Sequence, residues 1–330
     1  MLSRFINTNN SKATLALISR SYGTSTEPAT KKPATSPFER ITVIGAGLMG
    51  SGIAQVSAMA KHQVNLVDVS EDSLNRGQGY ILKSLKRIAK KNFPDNQTAQ
   101  ISFTEDVLSR IEFTTKTEDA ASKSDLVVEA VIENIELKQK IFTSVSAVTG
   151  KDTILASNTS SLPIKDIFVT IPQEKLQFTA GLHFFNPVPQ MKLVEIVKTE
   201  HTSEDTFSKL YDYTLSLKKA PVACKDTPGF IVNRLLVPYM MEAVRMLERG
   251  DATAKDIDTA MKLGAGYPMG PFELLDYVGL DTVSFVVGGW NSTNKEMRES
   301  GLSSPSKILD DLVKSGRLGI KSGEGFYKYK

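Results

Sequence analysis

Cysteine is all but missing from this chain. Among 330 residues Cys224 is the one thiol, which excludes an internal disulfide and a cysteine-built zinc site. A single thiol fits a reducing compartment. Histidine is scarce too, with His62, His183 and His201 the whole supply, so imidazole chemistry has three possible homes. No run of about eighteen apolar residues occurs, which excludes a helical membrane span. Charge of one sign is also lacking, since 40 Lys and Arg face 37 Asp and Glu. What is present is 41% hydrophobic and 23% charged, the composition of a soluble globular protein, at a length that favours two domains over one.

The small positive surplus is local. Residues 1–36 hold Arg4, Lys12, Arg20, Lys31 and Lys32 against Glu27 alone, a balance of +4. The remaining chain has 35 basic against 36 acidic residues and gives no electrostatic reason to bind nucleic acid. The leader is rich in Ser and Thr and has no acid before Glu27. Leu2, Phe5 and Ile6, then Leu15, Leu17 and Ile18, would form the apolar side of an amphipathic helix. It reads as a mitochondrial transit peptide, with Ser19-Arg20-Ser21-Tyr22 as a processing site and the matrix as destination. The plainer alternative is a tail with no address.

The fold is expected to begin near Phe38. Arg40-Ile41-Thr42-Val43-Ile44 is a β-branched strand, Ser51 to Ala60 a helix, and Val64 to Val67 a second strand ending at Asp68. A long helix from Glu71 to Lys91 follows, then another from Asn96 to Arg110. Ile111-Glu112-Phe113, Leu126-Val127-Val128, Thr153-Ile154-Leu155 and Leu193 to Val197 read as buried strands, with helical segments between the earlier ones. A helix from Glu204 to Leu217 and a strand around Val222 close this half. Alternation of this kind predicts a Rossmann-like, doubly wound, largely parallel sheet of the α/β class. Lys225-Asp226-Thr227-Pro228-Gly229 reads as a linker. Beyond it, a long apolar helix pattern from Phe230 to Gly250 opens a second, all-helical C-terminal domain.

Gly45-Ala46-Gly47-Leu48-Met49-Gly50 follows the first strand at once. Gly45 permits a tight turn, Gly47 lets the backbone approach a pyrophosphate, and Gly50 allows helix and strand to pack closely. Asp68, eighteen residues past Gly50, sits where a carboxylate accepts from the adenosine ribose hydroxyls. It would repel a 2′-phosphate, and Val69-Ser70 offers no arginine to receive one, so NAD is favoured over NADP. An FAD site shares this fingerprint, and the downstream chemistry has to decide.

That chemistry centres on His183, inside Gly181-Leu182-His183-Phe184-Phe185-Asn186-Pro187-Val188-Pro189. Glu195 lies twelve residues on, alternating with apolar side chains in a strand, and an acid on a buried strand face demands a partner. Two consecutive strands joined by a Pro-containing loop could bring the two together. An imidazole can take the proton of a secondary alcohol near neutral pH, and a carboxylate on its other nitrogen fixes the tautomer. His62, at a helix end, and His201, between Glu200 and Thr202, read as ordinary surface residues.

With Glu195 and the segment 183–189, several further motifs occur in order. They are Ala156-Ser157-Asn158-Thr159-Ser160-Ser161, Asp226-Thr227-Pro228-Gly229-Phe230-Ile231-Val232-Asn233-Arg234, Gly264-Ala265-Gly266-Tyr267-Pro268-Met269-Gly270-Pro271, and Gly323-Glu324-Gly325-Phe326-Tyr327-Lys328-Tyr329. From about Ile41 to the last residue the chain resembles the short-chain L-3-hydroxyacyl-CoA dehydrogenases of the mitochondrial type. The resemblance implies oxidation of an (S)-3-hydroxyacyl-CoA to the 3-oxoacyl-CoA, as in fatty acid β-oxidation, with NAD as hydride acceptor. It implies His183 as general base, Glu195 as its orienting partner, and Ser160 and Asn233 on the substrate's 3-oxygen and neighbouring carbonyl. Asn186 would meet the nicotinamide end of the cofactor, with Glu133, Lys138, Ser160 and Lys321 as further contacts. Ser84 and Lys91, with Ser160, would serve coenzyme A. No metal is implied.

The organisation that follows is a leader over 1–36, an NAD-binding domain with a helical coenzyme A-binding insertion over 37–227, and a helical substrate and dimerisation domain over 228–330. A homodimer would account for the apolar surplus of the last part. The segment from Pro163 to Lys175 departs from the family by a couple of extra residues in a surface loop. Two other functions stay open: a dehydrogenase of a free hydroxy or sugar acid, which needs no coenzyme A site, and a non-catalytic NAD-binding protein. Ser160, His183, Glu195 and Asn233 occurring together argue against the second.

Overall fold

The structure, a computed structural model, describes residues 36–329. The leader and its processing site lie outside the described residues, apart from Ser36. Eight strands form one sheet: β1 Arg40–Ile44, β2 Gln63–Val67, β3 Ile111–Thr114, β4 Leu126–Glu129, β5 Ile154–Ser157, β6 Thr179–Phe184, β7 Leu193–Lys198 and β8 Ala220–Lys225. Their order is β3-β2-β1-β4-β5-β6-β7-β8. Every neighbouring pair is parallel except β6 with β7.

The helices packed on this sheet are α1 Leu48–Met59, α2 Glu71–Asn92, α3 Gln97–Leu108, α4 Thr117–Ala121, α5 Ile135–Val148, α6 Ile164–Ile167 and α7 Glu204–Ser216. Strand side chains alternate between faces, as a period of two requires. Leu126 and Val128 join the core under α1, α2, α3 and α7, while Val127 joins the core under α4, α5 and α6. Both faces of the sheet are therefore covered, which is why its strands read as nearly unbroken apolar runs.

The remaining helices make their own core: α8 Val232–Arg249, α9 Ala254–Ala265, α10 Pro271–Val278, α11 Leu280–Thr293, α12 Lys295–Glu299 and α13 Lys307–Lys314. The expected long helix starts two residues late, at Val232, because Gly229 and Phe230 both take positive φ, 78° and 54°. Two left-handed residues in a row make a turn, not a first helical turn. Conversely α1 starts three residues early, at Leu48, directly behind the glycine loop.

Candidate active site

The strand order reverses direction between β1 and β4, and in such sheets a ligand crevice opens beyond the carboxyl ends of those strands. A cleft of about 460 Å³ lies there, lined by residues 44–48, 67–69, 130–132 and side chains of α2 and α5. Gly45 has φ 107°, and a Cβ on it would stand 2.6 Å from the Ala130 carbonyl oxygen. A Cβ on Gly50 would drive into the Gly45 carbonyl. Gly47 is different: a Cβ there would meet nothing, so its backbone borders open space. Gly47 also caps α1 without a side chain, so the amides at the start of α1 have no side-chain acceptor and remain available to phosphate oxygens. Ala46 and Asp68 tie the loop together, since the Ala46 amide donates to Asp68 Oδ2 at 2.8 Å. Leu48, Val69 and Ile132 line the cleft and are all exposed, an apolar wall with no protein partner. A backbone left bare, free amides and an apolar wall fit a dinucleotide.

β6 and β7 form the antiparallel pair, and their register sets His183 directly opposite Glu195. Their neighbours Leu182, Phe184, Val194 and Ile196 point into the core under α1, so the pair projects from the other face, toward Phe230. His183 Nδ1 lies 2.7 Å from Glu195 Oε2, with the carboxylate fully buried. Nε2 has no hydrogen-bond partner among the described residues, which leaves one ring nitrogen for a ligand. The other carboxylate oxygen of Glu195 accepts from the Ile231 and Val232 amides at 3.1 and 2.9 Å. One side chain thus orients the imidazole and grips the start of α8.

Around the loop after β5 four more of the expected residues come together. Ser160 donates to Glu133 Oε1 from its amide at 2.7 Å and from its hydroxyl at 3.1 Å. Asn233 Nδ2, one residue into α8, donates to the Ser160 carbonyl at 3.2 Å. Lys138 is only 1% exposed, and its ammonium meets Glu129 at 2.6 Å and Glu133 at 3.4 Å. Lys138 and Glu133 flank the glycine-loop cleft in sequence, but neither lines it. Asn186 is exposed in the loop that leaves β6, before a cis Asn186-Pro187 bond.

Two family models cover nearly all of the described chain. The 3-hydroxyacyl-CoA dehydrogenase NAD-binding domain matches residues 40–227, and the C-terminal domain of the same enzymes matches residues 229–329. The chain belongs to the 3-hydroxyacyl-CoA dehydrogenase family. It is an NAD-dependent oxidoreductase of that family, and the glycine loop lies in the part that the NAD-binding model covers. Among similar relatives are the mitochondrial hydroxyacyl-coenzyme A dehydrogenase of Homo sapiens, 51% identical over 96% of this chain and 100% of its own length, and that of Rattus norvegicus, 54% identical over 89% and 92%. The crystal structure of the (S)-3-hydroxybutyryl-CoA dehydrogenase from Ralstonia eutropha superposes with a TM-score of 0.81 at 35% identity, over 89% of this chain and 99% of that one.

Other residues that the family resemblance singles out are placed apart from this cluster. Ser84 and Lys91 lie two turns apart on α2, half-buried and exposed respectively, and neither lines the glycine-loop cleft. Lys321 pairs with Asp281 at 2.7 Å among the C-terminal helices, also outside that lining. His201 is exposed as expected, but His62 is not a surface residue. It is buried, with Nδ1 2.9 Å from the Phe38 carbonyl oxygen and Nε2 3.4 Å from Ser216. Burial lowers its pKa, only partly opposed by the Phe38 hydrogen bond.

The sequence alone assigns no role to several supporting groups. Glu129 is fully buried at the end of β4, where it accepts from Ser157 at 2.6 Å and the Val131 amide at 2.7 Å. Asn158 Oδ1 accepts from the Phe184 amide, fixing the strand end beside His183. Lys219 donates to the Val188 and Met191 carbonyls, both at 2.5 Å, and so holds the loop between β6 and β7. Burial pushes its ammonium down to about 8, with Lys192 adding to the effect. Asp226 accepts from the Ile164 and Lys165 amides at 2.9 Å, pinning the linker to α6. Burial, then the Glu195 and Asp226 carboxylates, push the Cys224 thiol up to about 12, so it holds its proton at neutral pH.

Proposed function

We propose that His183 is the general base that takes the 3-hydroxyl proton as a 3-hydroxyacyl-CoA is oxidised to the ketone. The carrying observation is the buried 2.7 Å contact between His183 Nδ1 and Glu195. With Nδ1 held there, Nε2 is the nitrogen that takes the hydroxyl proton, and the carboxylate stabilises the imidazolium that forms. NAD, when bound, supplies the hydride acceptor. The side chains of Ser160 and Asn233 hold the 3-oxygen and the neighbouring carbonyl. In the structure the Ser160 hydroxyl donates to Glu133; because the substrate's hydroxyl proton goes to His183, Ser160 serves the 3-oxygen by turning to donate to it. Glu133 and Asn186 face the cofactor, Lys138 is a further contact that also fixes Glu133 in place, and Lys321 is a further cofactor contact from the helical part.

The same reading gives Ser84 and Lys91 to coenzyme A, as a basic helix suits its phosphates. Residues 37–227 then form the cofactor domain and 228–330 the substrate and dimerisation domain, in a homodimer of the mitochondrial matrix. The mitochondrial relatives and the basic leader support that address. The test is NADH oxidation with acetoacetyl-CoA. His183→Ala is expected to lower kcat by about 10²–10⁴-fold with KM for NADH little changed. Full activity in that variant would remove His183 from the chemistry.

A further inference from the structure

The sequence next to Asp68 holds no arginine, yet the folded cleft does. Arg76 and Ser73, on the first two turns of α2, line the same cleft as Asp68 and the glycine loop. The Ser70 side chain caps α2 by accepting from the Ser73 amide, and its hydroxyl meets Ser73 Oγ at 3.0 Å. Arg76 Nη2 in turn donates to Ser73 Oγ at 2.8 Å. The guanidinium is thereby tethered by one donor to the wall that Asp68 begins. Arg76 makes no ion pair among the described residues, although Glu71 and Asp72 lie about one turn before it on the helix. An untethered remainder of a planar fork matches the oxygens of a phosphate monoester. Asp68 offers the opposite: its two carboxylate oxygens accept from the Ala46 and Val69 amides, both at 2.8 Å, so its charge is fixed in position.

We propose that Asp68 and Arg76 together set the choice between the two nicotinamide dinucleotides. The carboxylate repels a ribose 2′-phosphate, and the guanidinium is a receptor for that phosphate whose attraction the carboxylate outweighs. Arg76 is thus a specificity-determining residue, and one charge decides NAD against NADP. This rests on the cleft being the dinucleotide site.

NADH and NADPH titrations, followed by nicotinamide fluorescence, test the idea on wild type, Asp68→Asn, and Asp68→Asn with Arg76→Met. Wild type binds NADH and strongly disfavours NADPH; failure to bind NADH at all would retract the cleft itself. Asp68→Asn narrows the NADH preference by about tenfold or more, since removing a fixed charge relieves repulsion at close range. Adding Arg76→Met restores the part of the preference that the guanidinium had removed. If NADPH affinity is the same with and without Arg76 in that background, the proposal fails.

Asparagine keeps one oxygen for the Ala46 amide, but the loop could still be upset and both dinucleotides lost. Competition by 2′,5′-ADP, 3′,5′-ADP and 5′-ADP on wild type and Arg76→Met then decides. Loss confined to 2′,5′-ADP, about fivefold or more, supports the proposal, as one charge-assisted contact would give. Equal loss on all three overturns it. Loss confined to 3′,5′-ADP assigns the guanidinium to the coenzyme A phosphate and overturns it as well.

Discussion

At the scale of single residues, Glu195 carries two loads that one substitution separates. Its Oε2 faces His183 and its Oε1 accepts from the first amides of α8. Glu195→Gln keeps an oxygen for one task and loses the negative charge that supports the imidazolium. Steady-state assays should show kcat lowered by about 10²-fold or more, the range for a lost acid–base element. Unfolding should show a stability loss of about 1–3 kcal/mol from the poorly satisfied buried group. A variant with unchanged kcat would break the orienting role. His62 makes a pH prediction. Its folded pKa lies below the ordinary 6.5, so between those values the unfolded chain binds a proton that the folded chain refuses. The stability it supports is complete above pH 6.5 and falls as pH drops through the lowered value. Melting curves of His62→Gln should decline less steeply below pH 6.5 than those of wild type. Equal slopes would mean that His62 plays no part.

At the scale of elements, the C-terminal tail is a clasp built on two buried carboxylates that make no ion pair among the described residues. Asp276 accepts from the Phe326 and Tyr327 amides and the Tyr329 hydroxyl, all at 2.9 Å. Asp258 accepts from the Phe272 and Glu273 amides and the Tyr327 hydroxyl. Burial, then Asp258, raise the Tyr327 phenol, so it stays a donor at any working pH. Tyr327→Phe removes one bond to a buried acceptor and should cost about 1–2 kcal/mol in denaturant unfolding. No change in midpoint would show that the tail does not hold the helical core. None of this was legible beforehand, because Asp258 and Asp276 occupy amphipathic helices where an acid ordinarily faces water. The sheet was far more readable: β1 has the expected bounds, and the His183–Glu195 register follows from an acid alternating with apolar side chains. An acid also ends the apolar run Leu126-Val127-Val128-Glu129, but without alternation, and its partner Lys138 lies on the following helix and not on an adjacent strand. His62 was misread because its burial comes from Phe38 and Ser216, both distant in sequence.

At the scale of the molecule, every group proposed for the chemistry comes from one chain, while the helical part presents apolar surface outward. Leu263 is 84% exposed, Leu235 70% and Phe285 60%, in a part that also shows Tyr277 and Val278. Such exposure is costly for a free protomer and ordinary for a surface that a second copy covers. Because these side chains are outside the core in the protomer, Leu263→Glu combined with Phe285→Glu should leave its fold intact and charge the contact. Sedimentation velocity is expected to give a dimer for the wild type and a monomer for the double variant at the same concentration. The monomer should retain NADH turnover with acetoacetyl-CoA to within about tenfold, since His183, Glu195, Ser160 and Asn233 need no partner. A wild type that sediments as a monomer would end the dimer proposal. A monomeric variant with no turnover but bound NADH would mean that the second copy completes the site.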